Sequence, residues 1–142
     1  MKKIIVFGGS GFLGSHVADK LSNSGYNVSI FDKVESNFVL NNQKMIKGNI
    51  LNFDEVNNAM KEIDYVYNFA GLADIEESKK NPLGTVEQNI LGNSIILNSC
   101  INNNIKRYIF GSTVYVYSNL GSFYRISKQA CENYIEHYQQ VY

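Results

Sequence analysis

The stretch Lys3-Ile4-Ile5-Val6-Phe7-Gly8-Gly9-Ser10-Gly11-Phe12-Leu13-Gly14 decides the fold. A short, unbroken apolar run that stops at a glycine predicts a strand buried on both faces of a parallel sheet, and so its central strand. Beyond the glycines, Leu13, Val17, Ala18 and Leu21 share one helical face, and Gly25 follows as a stop signal, which predicts a helix from Phe12 to Ser24. The glycines thus occupy a strand-to-helix junction. There Gly8 would permit the tight turn, Gly11 would let the backbone approach a ligand without a Cβ, and Gly14 would let helix and strand pack closely. Free amides at the helix start, aided by the positive end of its dipole, suit a pyrophosphate. Without that setting, a glycine-rich turn would imply no ligand at all.

The same alternation of strand-length apolar runs and helical periods continues along the chain, which predicts a doubly wound α/β fold of the Rossmann type with about five parallel strands. A second strand runs from Asn27 to Phe31 and ends in Asp32, residues 36–43 read as loop, and Lys44–Lys47 as a third strand. Asp54 is placed to cap a helix reaching about Lys61, and Asp64–Phe69 reads as the fourth strand. Asn81-Pro82 supplies a cap and first-turn pair for a long helix through Val86, Ile90 and Leu97 to about Asn102. Arg107–Phe110 is the fifth strand, and from Tyr124 to the end Ile126, Ala130, Tyr134 and Tyr138 keep a helical period.

Two further features carry chemistry. Asp32 at a strand end can accept hydrogen bonds from adenosine ribose hydroxyls and would repel a 2′-phosphate, so NAD is expected in preference to NADP, with Lys33 beside it softening that preference. Tyr124 and Lys128, four apart on one helix, lie on one face. A phenol with an ordinary pKa of about 10 is a weak base near neutrality, and a neighbouring ammonium favours its phenolate. An isolated pair of this kind would be read as a surface aromatic and a solvated lysine.

Taken together, the glycine turn, Asp32, Ser112-Thr113 and Tyr124-x-x-x-Lys128 resemble the extended short-chain dehydrogenase/reductase family, and within it the NAD-dependent nucleotide-sugar epimerases and dehydratases. Phe69-Ala70-Gly71, Asn89-Ile90-Leu91-Gly92 and Phe110-Gly111-Ser112-Thr113 match further family segments, so the likeness runs along essentially the whole chain. The resemblance implies Tyr124 as general acid/base, Lys128 on the nicotinamide ribose and Thr113, rather than Ser112, on the reacting oxygen. It assigns the cofactor to Gly8, Gly11, Phe12, Leu13, Gly14, Asp32, Asn49, Ile50, Ala70, Gly71 and Lys128, and gives Asn89 a structural or water-organising role. It also implies a nucleotide-sugar substrate and a homodimer through the helices from Leu83 and Tyr124, for which Ile95, Ile96, Tyr134 and Tyr138 are the candidate apolar contacts.

The departures are specific. Asn49 stands where the family often has Asp, and Ser118 replaces a usual glycine. The stretch from Val114 to Phe123 is shorter than the family's loop, and Val114-Tyr115 replace the Asp-Glu of the sugar dehydratases. Family members continue well past the catalytic helix into further strands and a substrate domain. The 142 residues are therefore expected to form a single NAD-binding domain, an N-terminal fragment of a longer enzyme, truncated before the substrate domain. The competing reading is a cofactor-binding module without catalysis.

Composition bounds the partners. Thirteen basic and thirteen acidic residues give zero formal net charge, so no whole-chain field collects nucleic acid or anionic lipid. The apolar run after Met1 is too short for a signal peptide or a membrane span, and a cytoplasmic location is expected. Cys100 and Cys131 lack ligand-type spacing and read as buried thiols, with no metal implied. Asn27-Val28-Ser29 lies inside a strand, so its match to a glycosylation triplet is accidental.

Overall fold

The computed structural model describes all residues from Met1 to Tyr142. Five parallel strands form one sheet: β1 (Lys3–Phe7), β2 (Asn27–Asp32), β3 (Gln43–Lys47), β4 (Tyr65–Asn68) and β5 (Arg107–Phe110), in the order β3-β2-β1-β4-β5. β1 is central, as its unbroken apolar run requires. Its side chains alternate between two cores. Ile4 and Val6 pack with Val28, Ile30 and Ala18 of α1 (Phe12–Asn23), whereas Ile5 and Phe7 pack with Phe31, Val56, Met60 and Ile96 on the other face. Full burial of side chains of this size contributes about 1.5–3 kcal/mol each. No helix is long and apolar enough to cross a membrane.

The opposite face is covered by α2 (Phe53–Ala59) and α5 (Gly92–Asn102). Asp54 does not cap α2. Asn52 does, its Oδ1 accepting from the Asp54 and Glu55 amides at 3.1 and 3.3 Å while its Nδ2 donates to Glu55 Oε1 at 2.9 Å. As N-cap, Asn52 satisfies first-turn amides that Asp54, already inside the helix, cannot reach. A short helix that the apolar period did not signal, α3 (Ile75–Lys80), is capped by Asp74.

Asn81 caps the next segment as expected, accepting from the Gly84 amide at 2.9 Å. The anticipated single long helix is instead three segments, α4 (Pro82–Thr85), a π-helical turn over Val86–Leu91, and α5. Ile96 is fully buried in the core and so is not available to a second subunit, whereas Ile95 is half-buried against it. After β5 comes a 3-10 turn (Val114–Tyr117), then α6 (Ser122–Val141), which begins before Tyr124 because Gly121, at φ 95°, turns the chain into it.

At the amino end of the sheet, Asp64 sits between three strand starts. Its Oδ2 accepts from the Lys3 amide at 2.9 Å, and Oδ1 pairs with the Lys106 ammonium. The Lys106 hydrogen bond, then the Lys3 amide, hold its carboxyl down to about 2.

Candidate functional site

The chain runs outward from β1 to β3 and crosses back to β4, so the topological switch point lies between β1 and β4. Ligands of such sheets bind outside the carboxyl ends of the strands at that point. A cleft of about 480 Å³ opens there, and seven of the residues expected to hold the cofactor line it: Gly8, Gly11, Asp32, Asn49, Ile50, Ala70 and Gly71.

The glycine turn closes the switch point. Gly8, at φ 73°, donates its amide to Phe31 O at 2.9 Å, and a Cβ on it would meet the Ala70 nitrogen at 2.6 Å. A Cβ on Gly14 would fall 2.2 Å from the Gly8 carbonyl oxygen, so this glycine sets how closely α1 approaches β1. At Gly11 the only near contact is the same oxygen at 3.3 Å. Gly11 is the N-cap of α1, yet it offers no side-chain cap, and the first turn carries no acidic residue. The first-turn amides of Phe12, Leu13 and Gly14 therefore have no side-chain partner and stand at the positive end of the helix, an arrangement that fits a dinucleotide's phosphates. Phe12 and Leu13 are exposed, at 84% and 55%, and line none of the cleft. Any part they take falls to their backbone.

Asp32 accepts from the Ser10 amide through Oδ2 and from the Val34 amide through Oδ1, each at 3.1 Å. A carboxylate offers about four acceptor positions, so two remain for ribose hydroxyls. Asn49 is fixed through its amide to Glu55 Oε2 at 2.7 Å, and its Oδ1 accepts from the Leu51 amide at 3.0 Å. On the β4 side, Ala70 donates to Asn68 Oδ1 at 3.0 Å.

The second group lies beyond β5. Lys128 Nζ donates to Gly111 O at 2.7 Å, stands 4.5 Å from the Phe110 ring centroid and 5.8 Å from that of Tyr124. Burial pulls its ammonium below the ordinary 10.5. Burial pushes the Tyr124 phenol above 10, opposed by a hydrogen bond from Thr113. This corrects the expected direction. The ammonium is turned to the Gly111 carbonyl, and burial is the larger influence on the phenol. Ser112 is drawn away by a hydrogen bond from its hydroxyl to Glu132 Oε1. Tyr124, Lys128 and Thr113 do not line the cleft itself.

Asn89 connects the two groups. Its Oδ1 accepts from the Leu72 amide at 2.7 Å, and its Nδ2 donates to Leu72 O at 3.0 Å and to Ser127 Oγ at 2.8 Å. Ser127 in turn donates to Tyr124 O at 2.7 Å. The side chain is committed to cleft wall and helix, in keeping with a structural role. Its backbone carbonyl, in the π turn, is taken by the Cys131 thiol at 3.1 Å, and burial pushes that thiol up to about 11. Ser10, Glu55 and Ser127 thus shape the site without having been singled out. Only Glu55 carried a signal, as the third residue after Asn52 in a capping-box pattern.

Comparison with known proteins agrees with this geometry. Residues 4–142 match the model of the NAD dependent epimerase/dehydratase family. The chain is 33% identical over 132 residues to a dTDP-D-glucose 4,6-dehydratase of Dictyostelium discoideum, covering 84% of this chain and 30% of that protein. The crystal structure of a UDP-glucose 4-epimerase of Thermotoga maritima with UDP-glucose superposes with a TM-score of 0.91 at 28% identity, over 99% of this chain and 52% of that one. A UDP-glucose 4-epimerase from Brucella ovis in complex with NAD superposes with a TM-score of 0.91 at 25% identity, over 100% and 49%. The chain therefore spans about half the length, or less, of these relatives. A parallel sheet with its glycine turn at the switch point, and a match along nearly every residue, place this chain in the NAD dependent epimerase/dehydratase family.

Proposed function

We propose that the chain is the cofactor-binding part of a nucleotide-sugar epimerase or a related oxidoreductase, that NAD rather than NADP occupies the cleft, and that Tyr124, Lys128 and Thr113 handle the reacting hydroxyl. One observation carries this reading. The uncapped start of α1 opens at the switch point with Asp32 at one end of the cleft, while Asn89 joins its wall to the helix bearing Tyr124 and Lys128.

Asp32 binds the adenosine ribose through its two free acceptor positions. The amides of Phe12, Leu13 and Gly14 hold the phosphates. Lys128 keeps one of its three donors on Gly111 O and has two for the nicotinamide ribose. Bound NAD supplies the hydride acceptor and a positive ring. Tyr124 takes the proton of a sugar hydroxyl as general base, and Thr113 orients the same oxygen. With Val114-Tyr115 in place of an Asp-Glu pair, the transient oxidation is expected to serve epimerisation or reduction rather than dehydration. The substrate is a nucleoside diphosphate sugar, gripped by the portion of the relatives that has no counterpart here. Exposed Leu83, Val86, Ile126 and Tyr134 form the apolar surface of a homodimer, which light scattering showing only monomer would refute.

A binding module without turnover is the second reading, favoured by the placement of Tyr124, Lys128 and Thr113 outside the cleft. Calorimetric titration with NAD and NADP, followed by a hydride-transfer assay with UDP-glucose, separates the two. The enzyme reading expects NAD at least about tenfold tighter than NADP. It also expects Tyr124→Phe to retain NAD while losing about 10²–10⁴ in turnover. NAD binding with turnover refutes the module, and binding of neither dinucleotide overturns both.

A further inference from the structure

Asp32 is held by a closed ring of three hydrogen bonds. The Ser10 amide donates to Asp32 Oδ2 at 3.1 Å, the Val34 amide donates to Asp32 Oδ1 at 3.1 Å, and the Ser10 hydroxyl donates to Val34 O at 2.6 Å. The ring ties the glycine turn to the chain leaving β2. Lys33 lies within it, exposed and lining the same cleft. Two opposite charges thus flank one end of the cleft. Lys33 makes no ion pair with Asp32, so the backbone, rather than pairing, sets which of them meets the ligand.

We propose that Ser10 is a positioning residue for cofactor selectivity, its hydroxyl holding the Lys33–Val34 segment so that Asp32, and not Lys33, faces the 2′ position of the adenosine ribose. The inference rests on the NAD reading above. A carboxylate there accepts from a diol and repels a phosphate; an ammonium does the reverse. The Ser10 hydroxyl is the one link of the ring that depends on a side chain other than Asp32. Without it Val34 O loses its donor, and Lys33 gains freedom to turn toward the ribose. Alanine at position 10 keeps the amide bond to Asp32, so the glycine turn retains its other connection.

The test is calorimetric titration of the wild type, Ser10→Ala and Ser10→Thr with NAD and with NADP at low ionic strength. Ser10→Ala is expected to weaken NAD about two- to tenfold, the worth of one hydrogen bond, while NADP binding holds or tightens, so the NAD/NADP ratio falls. Ser10→Thr, which keeps the hydroxyl, restores the ratio. A wild type that prefers NAD together with a Ser10→Ala ratio within twofold of it overturns the inference and leaves the NAD reading standing. Equal loss of both dinucleotides does the same. A wild type that binds neither dinucleotide removes the NAD reading itself.

Discussion

Two glycines in the same turn should fail in opposite ways. In Gly14→Ala the new methyl lies 2.2 Å from the Gly8 carbonyl oxygen, 2.9 Å from its carbon and 3.0 Å from Gly9 Cα. All three are backbone atoms, so no rotamer relieves the contact, and α1 must retreat from β1 by roughly 1.5 Å to reach ordinary contact distance. Overpacking of this kind costs about 1–3 kcal/mol, and a chain of this length loses about 2–4 °C of melting temperature per kcal/mol. A drop of about 2–12 °C is expected. Gly11→Ala meets only the Gly8 oxygen, at 3.3 Å, and its backbone, at φ −76° and ψ 171°, is one alanine adopts freely. Reduced chain entropy in the unfolded state contributes about 0.4–1 kcal/mol in its favour, offset by that crowding, so its melting temperature should stay within about 3 °C of the wild type. On the proposed NAD reading its methyl would stand in the line of approach of the pyrophosphate, and NAD affinity should fall more than about tenfold. Thermal melts and NAD titrations of both variants decide the matter. If Gly14→Ala melts within 1 °C of the wild type, or Gly11→Ala binds NAD normally, the assignment of separate packing and ligand roles is wrong.

Two further outcomes follow from titration. Asp64 is depressed to about 2, so its stabilising contribution is complete above the ordinary 3.8 and is lost as pH falls from there through about 2. Urea midpoints of the wild type should decline over that window more steeply than those of Asp64→Asn, and parallel curves would refute the pairing. Cys100 and Cys131 are buried, with thiols pushed up to about 12 and about 11. Neither should react with a thiol reagent at pH 8 until the chain unfolds, and rapid labelling of either in the native state would show an opening absent from this fold.

Strands β1 and β2 were legible because burial on both faces demands apolar runs, and those runs mark their place in the chain. The glycine turn was legible for a related reason, since its three positions have separate steric needs. Other features left weaker marks. Two candidate capping residues, Asn52 and Asp54, stand close together at the start of α2, and only the geometry of Asn52 tells which one acts. In α3 the sequence Ile75-Glu76-Glu77-Ser78-Lys79-Lys80 holds one large apolar residue, too few for a period, although Asp74 and Glu77 form a capping pattern. A π turn adds nothing to residue type, so the break at Val86–Leu91 could not be read from Val86, Ile90 and Leu97, whose helical spacing runs through it. The direction of the Tyr124 shift was missed because helical spacing reports that two groups share a face. It does not report where the ammonium points.

The Asp64 junction has a mechanical consequence for the opposite end of the sheet. Parallel neighbours lack the tight hairpin that fixes pairing in antiparallel strands, and Lys3 and Asp64 meet across 61 residues of sequence. A slip of one position would exchange the faces of β4, sending Val66 to the α1 side and Tyr67 into the space Val66 fills. It would also carry Ala70 past Gly8, so the floor beneath the glycine turn would no longer meet it. Alignment near the carboxyl ends is thus pinned from the far side, by a carboxylate that never touches the cleft.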